Sequence, residues 1–131
     1  MPDLDQLTFA PSLGVDLREM SRTESGVYYL DLVEGTGAEA TQNREVTIHY
    51  VGRLPDGQVF DSSLATGEPF QFTLGFREVI PGWEDGVRGM REGGRRLLVV
   101  PPDQGYGDRG VTGRVPPNAT LVFEIQLLEV R

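Results

Sequence analysis

The chain has 131 residues, a formal net charge of -8 and no cysteine. A chain of this length suits one domain with a single core, and the lack of cysteine excludes disulfides and thiolate chemistry. The acidic balance argues against nucleic acid as a partner, because binding to phosphates needs a basic surface. The basic cluster of Arg88, Arg91, Arg95 and Arg96 is interleaved with Glu92, so we expect it to form a solvated face. Residues 1–6 lack the pattern of a signal peptide and no apolar run is long enough to span a bilayer, so we expect a cytoplasmic protein with no membrane partner.

The first 25 residues have the least regular pattern in the chain. Leu13, Val15 and Leu17 alternate with polar or small residues, which is compatible with a short strand and equally with a frayed arm. We therefore divide the chain into an N-terminal arm at residues 1–25 and one domain at residues 26–131. The pattern leaves open whether the arm adds a strand, mediates a dimer or is disordered.

Alternating apolar residues predict β-strands from residue 27 onward. Between the second and third of these strands, Asp56-Gly57 supplies the positive φ that a tight turn needs, so we expect a hairpin or a bulged strand pair there. The predicted strands lie at residues 27–33, 46–51, 58–61, 70–74, 98–100 and 121–127.

One short helix is predicted between the strands. It begins at Pro81, which suits the first helical turn, and it ends at Gly93-Gly94. Its apolar stripe consists of Trp83, Val87 and Met90. Two internal glycines weaken this helix by about 1 kcal/mol each relative to alanine, so packing on the sheet must hold it in place. The whole pattern indicates an α+β domain, in which one face of an antiparallel sheet packs on a single helix.

Standard catalytic groups are missing from the sequence. His49 is the only histidine and lies in the middle of a predicted strand, and no nucleophile elbow surrounds Ser62 or Ser63. The carboxylates show no metal-ligand spacing, so we expect neither a metal nor a cofactor. What remains is a set of aromatic residues with Asp61 next to Phe60, and a long loop at residues 101–118. An apolar cup with a few polar groups is the usual form of a small-ligand site, although most aromatic residues of a small domain are simply core.

Six segments of the sequence resemble the FKBP-type peptidyl-prolyl isomerases in order and spacing. The resemblance extends from about residue 26 to residue 130 and leaves the N-terminal arm outside. Each segment alone is modest evidence, but six in register are specific. The segments are VTIHYVG at residues 46–52, DGQVFDSS at 56–63, PF at 69–70, EVIPGWEDGV at 78–87, PDQGYG at 102–107 and VPPNATLVF at 115–123.

This resemblance implies a half-wrapped antiparallel β-sheet around one short α-helix, with a pocket that accelerates cis/trans rotation of X-Pro peptide bonds. Trp83 would form the floor, and the Ile80 N–H and the Tyr106 hydroxyl would donate to ligand carbonyls. The partners it implies are proline-containing polypeptides and macrolide inhibitors. The catalytic positions that it implies are Tyr50, Phe60, Asp61, Ile80, Trp83, Tyr106 and Phe123, with further substrate or inhibitor contacts at Phe70, Val79, Val111, Arg114 and Val115.

Three positions depart from the family pattern. Thr66 stands where a basic partner for the pocket aspartate is common, so we expect Asp61 to rely on Tyr50 or on water. Val111 and Arg114 replace a common histidine and isoleucine in the loop beside the pocket, so they are expected to change the preferred residue before proline and the affinity for macrolides.

Two other functions compete with the isomerase. The same pocket would serve a non-catalytic module or folding chaperone that binds proline-containing chains, whereas a purely structural protein would use all its aromatic residues as core. The structural alternative explains poorly why Tyr106 lies in a loop rich in glycine and proline. A hydrolase comes last, because no nucleophile–base pair is evident. We expect a monomer, since no heptad repeat or long apolar edge is present.

Overall fold

The computed structural model describes residues 7–131, and residues 1–6 lie outside that description. It shows the α+β class predicted from the sequence, a seven-stranded sheet in which every pairing is antiparallel. No helix in the described part of the chain is long and apolar enough to cross a membrane. The strands are β1 (Ser21–Arg22), β2 (Tyr28–Val33), β3 (Glu45–Arg53), β4 (Val59–Ser62), β5 (Phe70–Thr73), β6 (Arg95–Val100) and β7 (Leu121–Val130), and the helices are α1 (Ser63–Thr66) and α2 (Pro81–Val87).

The strand order is β1-β2-β6-β7-β3-β4, with β5 also paired to β3. The last strand therefore lies in the middle of the sheet, between β6 and β3. The hairpin expected between β3 and β4 is present: Gly57 has a φ of 96° and the Leu54 N–H donates to the Gln58 carbonyl at 2.8 Å. A bulge between Gly52 and Arg53 interrupts this strand pair.

Helix α2 is shorter than the sequence pattern predicted. It ends at Val87, because Arg88 already has an extended ψ of 131°, and Gly89 follows in a left-handed conformation with a φ of 91°. Met90, which we had placed on the apolar stripe of the helix, is still buried, but in the turn that comes after it. The prediction of a helix reaching Gly93-Gly94 was therefore wrong, because burial of Met90 needs no third turn.

Two glycines allow α2 to lie directly against β6. A Cβ atom at Gly82 would lie 2.5 Å from Val100 Cγ1, and one at Gly86 would lie 2.5 Å from Leu98 Cδ1. Real Cβ atoms do not approach so closely, so no larger residue fits without a shift. The glycines that weaken the isolated helix thus make its packing on the sheet possible, as the sequence required.

Buried apolar residues form two clusters on opposite faces of the sheet. The main core lies between the inner face and α2 and includes Ile48, Val87 and Leu98. The outer cluster consists of Leu13, Leu97 and Val122, with Phe9, Ala10, Val15, Met20 and Leu30 packed against it. The chain before β1 thus covers the face that α2 does not.

The strand suggested by the alternation of Leu13, Val15 and Leu17 is not formed. Residues Pro11–Leu13 and Leu17–Glu19 are single turns of 3-10 helix, and Gly14 between them has a φ of 69°. The alternation arises because Leu13 and Val15 face the sheet from an irregular chain, and Leu13 is only 8% exposed. The strand within the 1–25 arm is instead β1, which pairs with Tyr28 and Tyr29.

Candidate active site

Aromatic rings surround Trp83, the single tryptophan of the chain. Pro81 begins α2, and Trp83 follows within the first turn, with its side chain facing the sheet and 6% exposed. Its ring centroid lies 4.7 Å from that of Tyr50 and 5.3 Å from that of Phe123, both in edge-to-face contact. Phe70 and Phe72 of β5 lie 5.8 and 6.0 Å away. Three strands therefore place four rings around the single tryptophan that helix α2 supplies.

Phe60 extends this ring cluster beyond β3. Its centroid lies 5.6 Å from that of Phe123, and Gly52 lies between the two rings. A Cβ atom at Gly52 would be 2.8 Å from both Phe60 Cζ and Phe123 Cε1. Our sequence interpretation assigned Gly52 no role, although a glycine inside a predicted strand is a known sign of close approach.

Asp61 is held by a tyrosine and by a backbone amide. The Tyr50 hydroxyl donates to Asp61 Oδ2 at 2.8 Å, and the Ser62 N–H donates to Asp61 Oδ1 at 2.9 Å. Of the two partners that we had expected, the structure shows Tyr50. Thr66 instead donates to the Ser63 carbonyl at 3.0 Å within α1. Burial and the Asp61 carboxylate raise the pKa of Tyr50 well above its ordinary value, so Tyr50 remains a donor.

Ser63 connects His49 to the backbone of Tyr50. Ser63 Oγ accepts a hydrogen bond from the Tyr50 N–H at 2.7 Å and lies 2.9 Å from His49 Nδ1. Ser63 is buried at the start of α1, one residue after the Ser62 hydroxyl that caps this helix. This contact connects the side chain of His49 in β3 to the start of α1. The sequence interpretation missed Ser63 because a serine at a helix start is usually no more than a cap.

The segment before α2 supplies two apolar residues and a free amide. Val79 and Ile80 pack against the main core. The Ile80 carbonyl accepts from the Trp83 N–H at 3.0 Å, while its own N–H donates to no group among residues 7–131. The carboxylate of Glu84 accepts from the N–H groups of Gly75 and Arg77 at 2.6 and 3.2 Å, which ties the preceding loop to the helix.

The long loop after β6 carries Tyr106 and a compact turn. Tyr106 is 36% exposed, and its partial burial, together with the nearby charge of Asp61, raises the pKa of its hydroxyl. Val111 and Val115 exchange backbone hydrogen bonds of 2.8 Å in both directions. Val115 is buried in the main core, whereas Arg114 is exposed. The positive charge of Arg114 opposes the rise in the pKa of both Tyr50 and Tyr106.

The structure places the predicted site residues in or next to the aromatic cluster around Trp83, in the segment before α2 and in the long loop after β6. Their chemistry is apolar at the base, where Trp83 lies, and polar at the edge, where carboxylate and hydroxyl groups are found. Gly52, Phe72 and Ser63 belong to the same region. The predicted residues come from β3 (Tyr50), β4 (Phe60 and Asp61), β5 (Phe70), the segment before α2 (Val79 and Ile80), α2 (Trp83), the long loop (Tyr106, Val111, Arg114 and Val115) and β7 (Phe123).

Comparison with known proteins agrees with this geometry. Residues 37–128 match the profile described as FKBP-type peptidyl-prolyl cis-trans isomerase. The chain is 52% identical over 100 residues to an FK506-binding protein of Neisseria meningitidis, covering 76% of this chain and 92% of the relative. It is 45% identical over 106 residues to the peptidyl-prolyl cis-trans isomerase Fkbp12 of Drosophila melanogaster, covering 80% and 98%.

A solved structure gives the same result in three dimensions. The crystal structure of AtFKBP13 superposes with a TM-score of 0.80 at 39% sequence identity, covering 86% of this chain and 99% of that one. The fold predicted from the family resemblance, a half-wrapped sheet around a short helix, is therefore confirmed. The chain belongs to the FKBP-type peptidyl-prolyl cis-trans isomerases and catalyses the rotation of X-Pro peptide bonds.

Proposed function

We propose that the ring cluster around Trp83 is the site at which the isomerase binds and twists an X-Pro bond. The observation that carries this proposal is the enclosure of Trp83 by four aromatic rings within 6.0 Å. A proline ring placed on the indole would lie in a dry, rigid cup. The carbonyl before the proline would then lie near the polar groups at the edge.

Such a cup suits the chemistry of amide rotation. The barrier is about 18–20 kcal/mol because resonance gives the C–N bond partial double-bond character. Rotation breaks the conjugation, so the carbonyl of the twisted amide is less polar and has less need of water. An apolar site therefore binds the twisted form better than the planar one, which is the condition for catalysis. No nucleophile or metal is required.

Polar groups at the edge orient the substrate. The Ile80 N–H and the Tyr106 hydroxyl donate to no described residue. Both are therefore available to donate to carbonyl groups of the bound chain. Asp61 already accepts from Tyr50, so we assign it the role of a structural acceptor and not of a general base. A steep pH–rate dependence with an acidic midpoint that disappears in Asp61→Asn would contradict this assignment.

The experiment that tests the site is an isomerisation assay on a short X-Pro peptide, with and without the macrolide FK506. We expect turnover that the macrolide inhibits, and we expect Tyr106→Phe to weaken macrolide binding more than it slows turnover. Macrolide binding without turnover would instead indicate a non-catalytic module for proline-containing chains. Turnover that FK506 leaves unchanged would place the site elsewhere.

We further propose a monomeric, cytoplasmic protein whose partners are proline-containing polypeptides. The edge strand β1 has only two residues, and the opposite edge carries a bulge beside β4. Both features discourage strand pairing between molecules. The lack of cysteine fits a reducing compartment but does not require one. Sedimentation of the full chain and cell fractionation test these two points.

A further inference from the structure

Arg96 is the one buried charged side chain within residues 7–131. It lies on the inner face of β6, next to the main core, and is 6% exposed. Burial of a charge is costly unless the charge is paired and all its donors are satisfied. The buried Arg96 guanidinium therefore needs a partner for its charge and acceptors for its N–H groups.

Two residues of β2 contact the Arg96 guanidinium, and one of them, Asp31, neutralises its charge. Arg96 Nε donates to Asp31 Oδ1 at 2.7 Å and Nη2 donates to Asp31 Oδ2 at 3.2 Å. This paired geometry is the strong form of an arginine–carboxylate contact. The guanidinium carbon also lies 4.7 Å from the centre of the Tyr29 ring, within the range of a cation–π contact. Both contacts anchor the guanidinium to the sheet.

The remaining nitrogen of Arg96 reaches across to helix α2. Nη1 donates to the Gly86 carbonyl at 3.0 Å and to the Arg88 carbonyl at 3.3 Å. These carbonyls belong to the C-terminal end of the helix, where the backbone acceptors have no partner within the helix itself. One guanidinium thus joins β2, β6 and the end of α2.

We propose that Arg96 is a positioning residue for catalysis, which fixes the end of α2 and thereby the place of Trp83. The helix has seven residues and Trp83 lies three residues before Gly86, so a shift at one end moves the other. The backbone of Gly86 packs on Leu98 and Val87 is buried in the main core, so the two Arg96 hydrogen bonds add directed contacts to the apolar packing of that end. This inference rests on the proposed site at Trp83.

Stability alone does not test this proposal, because a buried ion pair is often replaced by apolar residues with little loss of stability. The useful variants are Arg96→Met, which fills the space without donors, and Arg96→Lys, which keeps the charge but lacks the planar fork. The matched control is Arg95→Met on the neighbouring position, where the arginine is exposed and pairs with Glu124. Leu13→Ala serves as a core variant that destabilises the domain from the outer face, opposite α2.

The experiment measures three quantities for each folded variant: the unfolding curve, kcat/KM on an X-Pro peptide, and the fluorescence emission of the single tryptophan. We expect both Arg96 variants to lose about tenfold in kcat/KM, since a small misplacement of a site residue has effects of this order or larger. We also expect their Trp83 emission to shift. Arg95→Met and Leu13→Ala should keep wild-type kcat/KM and emission at a temperature where they are fully folded.

The proposal is overturned if the Arg96 variants are less stable but, once folded, keep the kcat/KM and emission of the wild type. If Arg96→Met does not fold, Arg96→Lys and Asp31→Asn decide the matter. Asp31→Asn removes the carboxylate charge that pairs with Arg96 and keeps the arginine side chain itself. Failure of the proposed site has a different signature, in which Phe60→Ala retains full activity whatever the Arg96 variants do.

Discussion

The two faces of the sheet are covered in different ways. The inner face carries aromatic rings and is packed by a helix that two glycines bring into direct contact with β6. The outer face is covered by an irregular chain with two single 3-10 turns, and its cluster has only three buried apolar residues. Since the same strands serve both faces, this difference separates the face that carries the proposed site from the face that has only an apolar cover.

The sharpest test of this contrast replaces one phenylalanine on each face with alanine. We expect Phe60→Ala to lower kcat/KM by about a hundredfold, equivalent to about 2.7 kcal/mol of transition-state stabilisation, because it opens the ring cluster beside Phe123. Phe9→Ala removes an equal ring from the outer cover. It should cost about 1–2 kcal/mol of unfolding free energy and leave kcat/KM unchanged.

Isomerase assays and denaturant unfolding of the two variants check this prediction. A large loss of activity in Phe9→Ala would show that the outer cover supports catalysis, and the contrast between the faces would then be false.

A smaller loss of kcat/KM is expected at Gly52, where two rings of the cluster approach each other closely because the residue has no side chain. Gly52→Ala places a methyl group against both Phe60 and Phe123. Phe123 is fully buried and Phe60 is not, so Phe60 should move. We expect kcat/KM to fall about tenfold, with a loss of stability of about 1–3 kcal/mol from overpacking. Wild-type turnover in a folded Gly52→Ala protein would contradict the tight fit of these rings.

The polar edge of the inner face predicts a change in stability at high pH. Burial and the Asp61 carboxylate raise the pKa of Tyr50 in the folded state. An unfolded tyrosine loses its proton near pH 10, at about its ordinary pKa. The contribution of Tyr50 is thus complete below about pH 10 and is lost as the pH rises further, because the unfolded state then binds fewer protons.

Tyr50→Phe should therefore reduce the fall in unfolding free energy between about pH 9.5 and about pH 11.5. Urea unfolding of the wild type and of Tyr50→Phe across this range measures the difference. Equal slopes for wild type and Tyr50→Phe would refute the assignment.

The smallest effect concerns the charge beside the site. Arg114 is exposed, and its charge acts on Tyr50 and Tyr106. A peptide with glutamate before proline should therefore be turned over faster, relative to one with lysine, by wild type than by Arg114→Ile. An exposed charge pair is worth about 0.2–1 kcal/mol, so the ratio should change by up to about fivefold. An unchanged ratio would show that Arg114 does not contact the substrate.

Most of the sheet was predictable because alternation along a strand is a local signal. The α+β class and the strands β2 to β7 followed from this pattern. The end of α2 could not be predicted in this way, because an apolar residue such as Met90 can be buried in a turn as well as in a helix. The structure at residues 11–19 was missed for a related reason. Single 3-10 turns have no period, so alternating leucines and valines there resembled a strand.

The candidate site was partly predictable. The aromatic residues and Asp61 were visible as residue types, and the family resemblance supplied their grouping. The roles of Gly52 and Ser63 depend on strands meeting across the sheet, which no single segment reveals. The same holds for Arg96, which we had placed with Arg88, Arg91 and Arg95 on a solvated face. The structure corrects this, since Arg96 alternates inward from β6 while Arg95 is exposed.

The position of β7 has a consequence for how the domain is made. This strand follows all the others in the chain, yet it forms the longest pairing, with β3, and also pairs with β6. During translation, β3 and β6 each wait with an unpaired edge until residues 121–130 leave the ribosome. Exposed edges of this kind invite pairing with other chains. The nascent isomerase should therefore depend on other folding factors until its own last strand is available.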